Sequence, residues 1–152
     1  MSGLRNLVVV LGDQLDDDSA AFDDFDNERD HVWMAEVDDE STHVWTHKQR
    51  IALFLSAMRH FRDRLRKAGR TVDYTELGDD REATSLGAAL EQSVRAGRPQ
   101  RVIVVEPGEW RVRRLLERTA KDLGVELEVR TDRHFLCTAE EFAEHADGRK
   151  QL

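Results

Sequence analysis

The sequence predicts an α/β fold, a doubly wound five-stranded parallel sheet flanked by helices. Short apolar runs alternate with stretches whose apolar residues recur every three or four positions. Two of the runs, Leu7-Val8-Val9-Val10-Leu11 and Val102-Ile103-Val104-Val105, are continuous rather than alternating, as in strands covered on both faces. Glycine or proline punctuates the ends of the helical patterns. Strands alternating with helices imply right-handed crossovers and a parallel, Rossmann-like sheet, with strands 1 and 4 adjacent at its centre.

Strand 1 is the run from Leu7 to Leu11, stopped by Gly12-Asp13-Gln14-Leu15. An acidic loop follows from Asp16 to Asn27, with one helical turn expected around Ala20 to Phe25. Strand 2 is His31 to Val37. The longest helix is expected over Thr46 to Ala68. Ile51, Phe54, Leu55, Met58, Phe61 and Leu65 form its apolar stripe, Thr46 and Gln49 its capping box, and Gly69 its stop. A start nearer Ser41 is the other option for its first turn. Strand 3 is the alternating Thr71 to Leu77. The next helix carries Leu86, Ala89, Leu90 and Val94 and ends at Gly97 and Pro99. Strand 4 is Arg101 to Glu106, and a helix from Glu109 to Leu123 follows it. Strand 5, Val125 to Val129, alternates as an edge strand does, and Thr138 with Glu141 would cap a last helix to Ala146.

Length and composition bound the function. At 152 residues one domain is expected, spanning 1–152. The net charge of −8 argues against direct binding to DNA by this domain alone. No run approaches the roughly 18 apolar residues of a membrane span, so no membrane partner and a cytoplasmic location are expected. A single cysteine, Cys137, leaves no pair for a disulfide and no set for a cysteine metal centre. It follows Phe135-Leu136 and is expected to be buried and inert.

In doubly wound sheets ligands bind beyond the carboxyl ends of the strands, at the point where strand order reverses. Three segments fall there. Gly12-Asp13-Gln14 follows strand 1: glycine permits close approach, and Asp13 and Gln14 offer hydrogen bonds to a ring edge or hydroxyl. The same residues would also make an ordinary βα turn. After strand 2, Glu40, His43 and His47 share one helical face. This suits a polar ligand or a solvated first turn better than a metal, because the zinc pattern His-Glu-x-x-His is absent. After strand 4, Glu106-Pro107-Gly108-Glu109-Trp110 opens a helix whose free amides would meet a carbonyl or anion. Trp110 would cover an aromatic ligand there, or pack in the core. Arg111, Arg113, Arg114 and Arg118 read as a solvated helix face. No phosphate loop, dinucleotide fingerprint or nucleophile elbow occurs.

Six strings of residues resemble one known family. They are Leu11-Gly12-Asp13-Gln14-Leu15, Glu36-Val37, His47-Lys48-x-x-Ile51, Phe54 to Phe61, Glu106 to Val112, and Asp132-Arg133-x-Phe135-Leu136. Together they look like the N-terminal domain of the deoxyribodipyrimidine photolyase-related proteins, the iron–sulfur bacterial cryptochromes and prokaryotic (6-4) photolyases. The resemblance runs from about residue 5 to the end of the sequence. It implies an antenna domain for the chromophore 6,7-dimethyl-8-ribityllumazine. It also implies that FAD, a [4Fe-4S] cluster and repair of (6-4) photoproducts belong to a larger C-terminal catalytic domain absent from this chain.

By position, the resemblance places Gly12, Asp13, Glu40, His43, His47, Phe54, Glu106 and Gly108 around the chromophore. Gly12 and Gly108 would leave room for the flat ring, and Asp13, Glu40 and His47 would bond ring or ribityl groups. Relatives can carry Tyr at the position of His43 and a smaller aliphatic residue at that of Phe54. A Phe facing the ring would stack on the chromophore or fill its site. Other readings are a truncated domain with no chromophore, acting as an interaction module for a photolyase-like catalytic partner, and a small nucleotide-binding enzyme using Asp13 or Glu109 with His47.

Overall fold

A computed structural model describes residues 3–37, 47–78 and 85–149. Five strands form one all-parallel sheet in the order β3-β2-β1-β4-β5: β1 Asn6–Val9, β2 Asp30–Ala35, β3 Thr71–Thr75, β4 Arg101–Val105 and β5 Glu126–Arg130. The helices are α1 Lys48–Lys67, α2 Leu86–Gly97, α3 Trp110–Leu123 and α4 Ala139–Ala146. A 3-10 turn at Ala20–Phe22 is the expected helical turn of the acidic loop. The doubly wound arrangement is therefore present, with β1 beside β4.

The continuous runs are explained by a core on each face. Val8, Val10, Ile103 and Val105 pack with Phe22, Met58, Phe61 and Leu65. Leu7, Val9, Val102 and Val104 pack with Leu86, Leu90, Val94 and Leu116. Leu7 to Val9 in β1 and Val102 to Val105 in β4 bury both sets of their alternating side chains, so neither run shows a polar–apolar alternation. On the second face Trp33, wholly buried, donates from Nε1 to Ser93 Oγ at 2.9 Å, and Ser93 donates to Asp73 at 2.5 Å.

Helix α1 departs from expectation in two ways. Its N-cap is His47 rather than Thr46, with His47 Nδ1 accepting from Gln49 N–H at 3.2 Å. And only the second half of its stripe, Met58, Phe61 and Leu65, is buried. Ile51 and Leu55 are half-buried and Phe54 is 40% exposed, because the first turns overhang the carboxyl ends of the strands. Cys137, expected inside, is exposed, since Phe135 and Leu136 beside it face outward too. No helix among the described residues is long and apolar enough to cross a membrane.

Candidate functional site

The overhang of α1 creates a cleft of about 840 Å³ above the carboxyl ends of β1, β2 and β4, at the reversal of strand order. Its size falls in the usual range for small-molecule sites. Leu11, Gly12, Ala35 and Val37 form the floor, α1 supplies Arg50, Ile51, Phe54, Leu55 and Met58, and residues Pro107 to Val112 form the opposite wall. The walls are mostly apolar, and polar groups stand at the mouth.

Gly12 is needed by its neighbours. A Cβ there would stand 2.5 Å from Phe54 Cε1 and 3.1 Å from Met58 Sδ. Phe54 thus lies directly on the β1 terminus, with one side open to the cleft. Gly108 has a looser environment, where an added Cβ would sit 3.8 Å from Asp13 Oδ2. Asp13 is exposed at the mouth and makes no hydrogen bond among the described residues. Trp110 is not core: it is 74% exposed, lines the cleft, and has Arg114 5.3 Å from its ring centroid. The N-cap of α3, Glu109, makes no side-chain cap, so the first-turn amides have no partner from it.

Three expected contacts are placed elsewhere. Gln14 spends its amide N–H groups on the carbonyls of Val105 and Glu106, each at 3.2 Å, and so pins the β1 loop to the end of β4. The Glu106 carboxylate turns to Arg113, whose Nε also bonds Glu117 at 2.7 Å. His47 caps α1 and does not line the cleft. Glu40 and His43 lie outside the described residues. Among the described residues no group of His, Cys, Asp and Glu could hold a metal ion.

Glu36, at the end of β2, is the residue whose role the sequence did not reveal. It is 3% exposed yet charged. Arg59 grips both its oxygens at 2.7 and 2.8 Å, Tyr74 donates its hydroxyl at 2.6 Å, and Leu77 N–H donates at 2.9 Å. Burial alone would raise its pKa, but these donors outweigh that and hold the carboxyl at about 2. Burial and the neighbouring carboxylate push the Tyr74 phenol up. All of Glu36's oxygens are occupied by the protein, so its work is to fasten α1 and the β3 end to the cleft floor. A charged residue closing a buried strand was the available signal.

The fold and cleft define a class: a Rossmann-like domain with a preformed, largely apolar cleft at the switch point. The family model described as "Deoxyribodipyrimidine photo-lyase-related protein" matches residues 8–152, and the chain belongs to that family. A (6-4) photolyase of Agrobacterium fabrum is 40% identical over 149 residues, which is 98% of this chain and 29% of that protein. The chain therefore spans less than a third of the length of this relative.

Proposed function

We propose that this chain is an antenna domain, which holds a flat chromophore of the 6,7-dimethyl-8-ribityllumazine type and passes its excitation energy to FAD in a photolyase-type catalytic domain. The observation that carries this reading is the cleft itself. Phe54 and Trp110 line it, Gly12 makes room for the Phe54 ring, Gly108 leaves space beside Asp13, and Asp13 has an unused acceptor at the mouth. The chain's tasks are to bind, orient and keep water from the ring; the chromophore supplies the light absorption. Repair of UV photoproducts in DNA belongs to the partner domain, and none of the residues at the cleft is assigned a catalytic step.

A second reading has a specific observation in its favour. The Phe54 ring already occupies the floor position above Gly12, as a plug would. In that case the domain is a chromophore-free interaction module.

Titration of the purified chain with 6,7-dimethyl-8-ribityllumazine, followed by absorption and fluorescence, separates the two, with Phe54→Ile in parallel. Saturable binding at micromolar concentration or tighter by the native chain supports the antenna reading, with Phe54 as a stacking wall. Binding by Phe54→Ile alone identifies Phe54 as the plug. Binding by neither overturns the antenna reading for this chain.

A further inference from the structure

The segment after β5 is held firmly and buries almost nothing. Arg133 donates to the Asp18 carbonyl at 2.9 Å and to the Asp23 carboxylate at 3.0 and 3.1 Å, tying the segment across the acidic loop. Helix α4 has a complete capping box: Thr138 Oγ1 accepts from Glu141 N–H at 3.1 Å, and the Glu141 carboxylate accepts from Thr138 N–H at 2.7 Å. Yet no residue of α4 is buried. Ala139, Phe142, Ala143 and Ala146 recur at helical spacing, and that stripe has no core beneath it. Phe142 is 51% exposed, Phe135 67% and Leu136 fully exposed. An eight-residue helix is marginal in water without tertiary packing. Exposed apolar surface rimmed by polar residues is typical of interaction sites.

We infer that the Phe135–Leu136 ridge and the Phe142 face of α4 form the docking surface for the catalytic portion of a photolyase-type protein. The length of the relative outside the match points to the occupant. The Agrobacterium fabrum (6-4) photolyase matches nearly this whole chain and carries most of its own length outside the match. A portion of that kind is the partner inferred for this face. This inference rests on the photolyase-type partner of the proposed function and not on the chromophore.

The test is a chimera in which this chain replaces the matched region of that photolyase. Cys137, exposed beside the ridge, is the probe, and its alkylation is followed by peptide mass spectrometry. Alkylation should be about tenfold or more slower in the chimera than in the isolated chain. The triple variant Phe135→Ser/Leu136→Ser/Phe142→Ser should restore the rate of its own isolated form. That isolated variant should keep its unfolding midpoint within about 2 °C, since the three side chains are exposed. Protection that survives the triple substitution overturns the surface but leaves the partner. Absence of protection in the parent chimera overturns both. Dimerisation of the isolated chain that the triple variant abolishes, with no protection in the chimera, makes the occupant a second copy and overturns the inference. Chromophore titration of the isolated chain is independent of every one of these outcomes.

Discussion

The ring of Phe54 rests on the backbone of Gly12: a Cβ at Gly12 would come within 2.5 and 2.6 Å of its Cε1 and Cζ. The contact joins α1 to the end of β1 and sets the depth of the cleft. Gly12 has no positive φ, so its missing side chain serves proximity and not backbone freedom.

Gly12→Ala should therefore move Phe54 into the cleft. The ring edge can rotate, so the stability cost should be modest, about 1 kcal/mol. Chromophore binding should fall by far more. Gly12→Ala/Phe54→Ala should recover the stability loss, giving a coupling of about 1 kcal/mol in a double-mutant cycle by urea unfolding. Additive effects would show that the two residues do not share the space.

Trp110 touches the cleft from the outside, at 74% exposure. Trp110→Ala should leave stability within about 0.5 kcal/mol. It should weaken lumazine binding by about two- to twelvefold, the size of one aromatic contact. An unchanged affinity in the fluorescence titration would remove Trp110 from the ligand wall.

Glu36→Gln keeps the shape of the buried network and removes its charge. Arg59 then loses a bidentate partner, and Tyr74 and Leu77 N–H lose a charged acceptor. Arg59 is 43% exposed and regains water, so the loss should be about 2–3 kcal/mol rather than the cost of a fully buried pair. Urea unfolding at neutral pH measures it.

Acid should act through the same residue. The folded carboxyl is held at about 2, below its usual 4.5, so the stabilisation is complete above about pH 4.5 and is lost as pH falls towards 2. Asp30 contributes in the same direction. Burial would raise its pKa, but Arg5, the Asp26 N–H and Asn6 lower it. Unfolding midpoints should stay level from about pH 7 to 5 and then fall. Glu36→Gln should show the shallower acid limb. An equal slope in the variant would mean that other carboxylates control acid unfolding.

Much of the site was legible because it follows from chain direction. The β1 and β4 runs place Gly12 and Gly108 at the carboxyl ends of adjacent strands, and the α1 stripe places Phe54 on the side facing them. Gln14 and Glu106 were legible as neighbours of the site but not in their bonds. Their partners, the Val105 and Glu106 carbonyls and Arg113, become near only when the sheet closes and α3 packs. Glu36 was visible only as a charge at a strand end, because Arg59, Tyr74 and Leu77 reach it from three different segments.

Element order, the doubly wound topology, the capped α4 and the family are legible in the chain alone, since periodicity, caps and crossover handedness are local or chiral properties. Packing of the folded sheet and helices settles which half of the α1 stripe is core and which is cleft wall, that Trp110 and Cys137 face outward, and that Phe135, Leu136 and Phe142 have no core behind them. An apolar residue carries the same transfer free energy wherever it stands in the chain. Whether that free energy is realised inside the domain or left for a partner depends on which surfaces the folded sheet brings opposite it.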